Sequence, residues 1–233
     1  MNREQLSKYL SMYRVDFDEQ KLDLLFEYMK YTLEENEKYN LTAITNEDEF
    51  VEKMIFDSAL VLSEYDLSNA SLIDVGTGAG YPGMVLKILC PSLNLSLIDS
   101  TAKKINFIKA FADKHSIKVN AIAGRSEDYC RSHREEFDYA TARAVSALPV
   151  LIEIIAPLLT VGGQLLALKG LNYETEINSS QNALDKLSMK VDCIREFTLP
   201  ECNEKRAIIH LRKTKETNKK YPRDYSDIKK RPL

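Results

Sequence analysis

Apolar residues early in the chain recur with a helical period. Leu22, Leu25, Phe26, Met29 and Leu33 share one face of a helix, and Phe50, Val51, Met54, Ile55, Ala59 and Leu62 share another. Asn46 is placed to cap the second helix, with Glu49 as the return partner of a capping box. Between the two, Asn40-Leu41-Thr42-Ala43-Ile44 breaks the period, and neither glycine nor proline occurs in this region. Near Ala70 the pattern changes to short apolar runs that alternate with helix-period stretches. Strands are predicted over residues 71–75, 93–98, 118–123, 137–143 and 163–169. Helices are predicted over residues 82–89, 103–115, a short stretch from Ser126, 146–159 and 173–187. The last two runs, 190–198 and 206–211, have little between them and predict an antiparallel hairpin.

Strand–helix alternation implies a parallel sheet covered on both faces. The expected fold class is α/β: a Rossmann-like, seven-stranded doubly wound sheet with a helical N-terminal extension. The expected organisation is an extension over residues 1–65, a sheet domain over 66–212 and a basic tail over 213–233, polar enough to be mobile.

Asp74-Val75-Gly76-Thr77-Gly78-Ala79-Gly80-Tyr81-Pro82-Gly83 stands where the first strand meets its helix. Glycines there permit positive φ and close approach of a ligand. In open α/β sheets ligands bind at this end of the strands. Residues 78–83 formally fit the dinucleotide fingerprint GxGxxG. A fingerprint starting at the strand end, however, begins at Gly76 and puts Tyr81 at its third glycine. The Asp74 carboxylate would also repel a pyrophosphate. It attracts a cation, and S-adenosylmethionine carries a sulfonium and an ammonium. Asp74, Gly76, Gly78 and Gly80 are therefore the candidate cradle for S-adenosylmethionine. Glycines serving helix–strand packing alone are the plainer alternative.

Asp99 ends the second strand and either accepts from ribose hydroxyls or caps the next helix beside Ser100 and Thr101. Gly124-Arg125-Ser126-Glu127-Asp128 follows the third strand, where the loop of such sheets covers the adenine. The backbone of Ser126 and Glu127 either reads the adenine edge or belongs to a capping cluster. Arg143 closes the fourth strand, on the side of the transferring methyl. It binds a guanine keto oxygen or a phosphate, or it pairs with Asp74 or Asp99. Lys169, ending the fifth strand, poses the same choice, with an ordinary surface lysine as its plainer alternative.

Composition narrows the setting. The 233 residues are 44% hydrophobic and 29% charged, an ordinary globular balance. Met1 to Leu10 lack the apolar run of a signal peptide, so a cytoplasmic protein without membrane attachment is expected. Four scattered cysteines and three histidines have no metal-ligand spacing, so no metal is expected. The net charge is −3, but from Arg212 onward the chain carries nine basic and three acidic residues. A basic tail on an acidic body suits a polyanionic partner, or is simply solvated.

Taken together, these segments resemble the glucose-inhibited division protein B family, bacterial methyltransferases acting on guanine N7 of small-subunit (16S) ribosomal RNA. Asn40-Leu41-Thr42-Ala43-Ile44, Asp57-Ser58, the glycine turn, Gly124-Arg125-Ser126-Glu127, Ala142-Arg143-Ala144, Leu168-Lys169-Gly170 and Tyr221-Pro222-Arg223…Arg231-Pro232-Leu233 carry the likeness along the whole chain. The resemblance implies a class I methyltransferase fold and a partner in small-subunit ribosomal RNA or the ribosomal particle. It implies that Gly76, Tyr81, Ser126, Glu127 and Arg143 contact the cofactor or line its pocket. It departs from the family at Met54, where a histidine is usual. The Asn/Asp-Pro-Pro-aromatic loop typical of exocyclic-amine methylation is replaced by Arg143-Ala144-Val145-Ser146. Guanine N7 already carries a lone pair and needs no base. Catalysis then reduces to positioning, with Arg143 or Asn40 holding the guanine. The rival readings are a small-molecule methyltransferase, a non-catalytic RNA-binding protein that keeps the pocket, and a nicotinamide enzyme.

Overall fold

A computed structural model describes residues 1–233. The N-terminal region forms α1 (Arg3–Met12), α2 (Glu19–Tyr39) and α3 (Glu47–Phe50), a π-helical stretch (Val51–Phe56), α4 (Asp57–Ala59) and a 3-10 turn (Leu60–Ser63). Caps mark the starts of the first three helices: the side chains of Asn2, Asp18 and Asn46 each accept from a backbone N–H three residues on. The predicted single helix after Asn46 is thus wound in three ways, because the Val51–Phe56 turn is wide.

The sheet domain runs β1 (Ser71–Val75), α5 (Gly83–Leu89), β2 (Asn94–Asp99), α6 (Ala102–Lys114), β3 (Asn120–Ala123), α7 (Ser126–Tyr129), β4 (Phe137–Arg143), α8 (Leu148–Ile155) and β5 (Leu159–Lys169). It continues through α9 (Tyr173–Ser179), α10 (Gln181–Leu187), β6 (Met189–Thr198) and β7 (Lys205–Lys213), with α11 (Tyr225–Lys230) in the tail. The seven strands lie in the order β3-β2-β1-β4-β5-β7-β6. The first five are parallel, and β7 is antiparallel to both β5 and β6. The β4–β5 register pairs Arg143 with Leu168, and β5–β7 pairs Lys169 with Ala207. The start of β7 therefore lies at the same sheet edge as the ends of β4 and β5.

Strand side chains alternate between two cores, as the period of two requires. Leu72, Leu95, Leu97, Leu166 and Ile208 pack beneath α5, α6 and the N-terminal helices. Ile73, Val75, Ile98, Leu165, Ala167 and Ile209 pack beneath α8 and α10. The N-terminal extension shares the first core and is tied to the sheet domain by buried polar contacts. Tyr28 Oη donates to the Ala79 carbonyl (2.7 Å), and Glu52 Oε1 accepts from the backbone N–H of Glu201 (2.7 Å) and Cys202 (3.2 Å).

Residues 213–233 differ from the expectation of a mobile tail. Tyr221 and Ile228 are buried in the second core. Arg223 forks onto the fully buried Glu153 of α8 (2.8 and 2.6 Å), and Arg134 donates to the carbonyls of Thr217 and Tyr221 (both 2.8 Å). The segment is polar overall, yet its few apolar residues fall where they can dock.

Candidate active site

A cleft of about 1010 Å³ opens at the carboxyl ends of β1, β4 and β5. Its walls include Gly76, Thr77, Gly78, Tyr81, Asp99, Arg143 and Lys169 from the sheet domain, and Leu41, Lys53, Met54 and Asp57 from the N-terminal extension. A second cavity of about 310 Å³ adjoins it, sharing Gly76, Asp99 and Lys104, and continues to Gly124, Arg125, Ser126 and Glu127. The extension is thus one wall of the cleft.

The glycine turn owes its shape to Asp74. This carboxylate is fully enclosed and accepts from Thr77 Oγ1 (2.6 Å), the Gly83 N–H (3.0 Å) and Thr141 Oγ1 (3.2 Å). Burial pushes its pKa up to about 6, against the pull of those hydrogen bonds. It lines neither cavity, which corrects the expected direct contact with a cationic ligand: Asp74 acts on the site by fixing the turn. Gly78 has φ +60° and no atom within 4 Å of where a Cβ would stand, so its face is open to the cleft. Gly80 (φ +83°) is different and also corrects the expectation. A Cβ there would stand 2.3 Å from Tyr28 Oη and 2.8 Å from Met84 Cγ, so this glycine serves packing. Gly76 lines both cavities.

Asp99 is half-buried between the cavities. It accepts from the Gly78 N–H (3.0 Å) and the Thr101 N–H (2.8 Å), so it braces the cradle and, as one of the two alternatives has it, the start of α6, while keeping lone pairs free. Ser126 and Glu127 open α7 at the wall of the second cavity. Glu127 is buried, and its Oε1 has no hydrogen-bond partner, with Arg125 Nη1 standing 3.5 Å away. Tyr81 is buried, with its hydroxyl 3.1 Å from Thr32 Oγ1.

Arg143 pairs with neither Asp74 nor Asp99. Its guanidinium donates to the Lys53 carbonyl (2.9 Å) and to Met54 Sδ (3.0 Å), and stands 3.6 Å from Asp57 Oδ2. The π-helical turn supplies both hydrogen-bond acceptors, and such turns recur at functional sites. Arg206 reaches the same Asp57 oxygen (3.7 Å) and also Glu204 (2.7 Å), which in turn holds Lys53 (2.5 Å). Burial raises the Asp57 pKa, opposed by the two arginines, and burial lowers that of Arg143, opposed by Asp57. Lys169 donates to the Ser146 carbonyl (2.9 Å) and Glu176 (2.7 Å), bracing the loop after β4. Asn40 does not line the cleft. It is exposed in the left-handed conformation (φ 49°) that ends α2, so its visible work is termination of that helix.

Sequence reasoning did not select Lys53, Asp57, Lys104 or Arg206 as site residues. Lys53 and Asp57 are four apart on one helical face. Arg206 opens an apolar strand, which is a signal once its antiparallel pairing with β5 is known.

Among the described residues no cluster of three His, Cys, Asp or Glu is placed to hold a metal ion, and no helix is long and apolar enough to cross a membrane. The fold is that of class I S-adenosylmethionine-dependent methyltransferases. It resembles a SAM-dependent methyltransferase from Aquifex aeolicus (TM-score 0.52, 16% identity, 70% of this chain and 92% of that one). It also resembles P. horikoshii TYW2 in complex with MeSAdo (TM-score 0.53, 7% identity, 70% and 61%). The profile of the family described as rRNA small subunit methyltransferase G (GidB) matches residues 21–216, and this chain belongs to that family. Proteins named Ribosomal RNA small subunit methyltransferase G are similar along their whole length. That of Caldicellulosiruptor bescii is 41% identical (99% of this chain, 100% of the relative), and that of Lactobacillus acidophilus 39% (100% of both). Fold and family together make the chain an S-adenosylmethionine-dependent methyltransferase.

Proposed function

We propose that this chain methylates ring nitrogen 7 of a guanine in small-subunit ribosomal RNA, in the cytoplasm. The single observation that carries the choice of atom is that each carboxylate lining the cleft is engaged by a cation or by backbone N–H groups, and the one with lone pairs to spare, Asp99, lies on the cofactor side. Asp57 faces two arginines, Asp99 accepts from Gly78 and Thr101, and Glu176 holds Lys169. No histidine lines the cleft. A site without a free base suits a nucleophile that has no proton to lose.

S-adenosylmethionine, when bound, supplies an electrophilic methyl group on a sulfonium. The residues present fit it. The open face of Gly78 leaves room at the cradle, Asp99 keeps acceptor capacity for ribose hydroxyls, and Glu127 Oε1, buried and facing Arg125 at 3.5 Å, accepts no hydrogen bond and has room for a donor. Gly76, Gly78, Asp99, Ser126 and Glu127 are the residues we assign to the cofactor, with Tyr81 in the wall. Arg143 retains free N–H donors after its two hydrogen bonds, and these hold the guanine through its keto oxygen. Asp57 fixes the direction of both arginines.

In this reading residues 1–65 close the cleft over the base, residues 66–212 carry the cofactor, and the basic tail from 213 onward meets the RNA backbone. Lys219 and Lys220 are exposed there, beside Arg131 and Arg134, along a cavity of about 640 Å³. The test is methyl transfer from labelled S-adenosylmethionine to small-subunit ribosomal RNA, followed by nucleoside analysis. Label in 7-methylguanosine is expected. Label in an exocyclic amine or a pyrimidine would overturn the choice of atom.

A further inference from the structure

Tyr225, from the C-terminal segment, lines the smaller cavity together with Asp99, Arg125, Ser126 and Glu127. We propose that Tyr225 is a cofactor-binding residue, and that the docked tail is a built part of the adenosine subsite as well as a place for RNA to land. This rests on the reading that the smaller cavity takes the adenosine half of the cofactor.

The cavity has the chemistry of a purine nucleoside site. Val75, Ile98, Val145 and Ile154 give it aliphatic walls, and Tyr225 adds its one aromatic ring. The same cavity carries polar groups: the Asp99 carboxylate, and Glu127, whose Oε1 accepts no hydrogen bond and faces Arg125 at 3.5 Å. Arg125 lies over the Tyr225 ring at 5.1 Å and is half exposed, so the pair stands at the solvent side. A flat face of a base fits aromatic and aliphatic side chains, and its edge fits a few polar groups.

The tail is held firmly enough to be a wall. Two residues before Tyr225, Arg223 meets Glu153 with its backbone N–H (3.1 Å) and both ends of its guanidinium. Asp224 takes Arg131 at 2.7 Å, and Ile228 is buried three residues beyond the tyrosine. Glu153 is fully buried, and Arg223 is its partner, so release of the segment would strand a carboxylate in the core. The position of Tyr225 is therefore fixed by the core of the sheet domain.

The test is calorimetric titration of the full chain with S-adenosylhomocysteine and, separately, with 5′-methylthioadenosine, which lacks the amino-acid end. Wild type, Tyr225→Ala, Tyr225→Phe and Asp99→Ala are compared, each well below its unfolding midpoint. Tyr225→Ala is expected to weaken both ligands about tenfold, within the range of aromatic–base contacts, and Tyr225→Phe is expected to bind as wild type does. If Asp99→Ala weakens binding while Tyr225→Ala binds as wild type, the tyrosine has no part in the site and the proposal is overturned. If Asp99→Ala also binds as wild type, adenosine does not sit in this cavity, and the proposal falls together with the reading beneath it.

Discussion

Arg143 at the end of β4 and Asp57 at the start of α4 meet 3.6 Å apart, joining the sheet domain to the N-terminal extension across the cleft. Asp57 also faces Arg206 at 3.7 Å, so the two charges of the Arg143–Asp57 pair are not equally replaceable. Loss of Arg143 leaves Asp57 with another cation. Arg143→Ala is therefore expected to keep its unfolding midpoint within a few degrees while kcat falls about 100-fold, the scale of one lost transition-state donor. Asp57→Ala leaves two arginines facing each other and is expected to cost about 3 kcal/mol of stability as well as activity. Denaturant unfolding and single-turnover kinetics on both variants check the asymmetry.

The two outer glycines of Gly78-Ala79-Gly80 should fail in different ways. Gly78→Ala meets open space and costs roughly 1–2 kcal/mol for its left-handed backbone, but it fills the cleft face and should abolish cofactor binding in a folded protein. Gly80→Ala drives a methyl group into Tyr28 and Met84 and should give little soluble protein. Circular dichroism and ligand titration separate the two.

Asp74 sets a pH dependence. Its folded-state pKa, about 6, lies above the ordinary carboxyl value, so folding favours its protonated form. Its contribution to stability is fully present below pH 4 and is lost as pH rises through 6, by about 3 kcal/mol. In Asp74→Asn that loss is absent. The Tm of wild type relative to this variant should therefore fall between pH 4 and pH 6, and a constant difference across that range would contradict the assignment.

Glu153 and Arg223 form a buried pair whose loss is one-sided. Arg223→Ala should destabilise by about 3–5 kcal/mol, because Glu153 is left charged and enclosed. Adding Glu153→Leu should restore most of that loss, since an aliphatic side chain suits the neighbouring core. Chemical denaturation of the single and double variants reads this directly.

The exposed Lys219 and Lys220 should matter for RNA and little for the fold. Replacing both with alanine is expected to weaken RNA binding and to lower the slope of log K against log salt by about 1–2 units. An unchanged slope would place the RNA elsewhere.

The sheet was legible because its strands are short apolar runs bounded by turn residues, and the β6–β7 hairpin because nothing long enough for a crossover separates them. β5 begins earlier than its apolar run suggests, at Leu159, and the stretch after Asn172 splits into α9 and α10 at Ser180. The glycine turn, Asp99, Ser126 and Arg143 were visible because loops at strand ends are local features of sequence. The partners of Arg143 were not. Asp57 and Arg206 lie 86 and 63 residues away, and their meeting depends on sheet order and on how α4 packs. Asp74 was misjudged for a related reason: the sequence places a carboxylate beside the turn, but only the packing of Thr77, Gly83 and Thr141 shows which way it faces. The tail misled because average polarity hides four anchoring residues, Thr217, Tyr221, Arg223 and Ile228.

The most direct measurement maps N7-methylated guanines in small-subunit ribosomal RNA from cells that carry this gene, cells that lack it, and cells that carry the Arg143→Ala form. One guanine should be methylated in the first and unmethylated in the other two. A methylation pattern identical in all three would contradict the account.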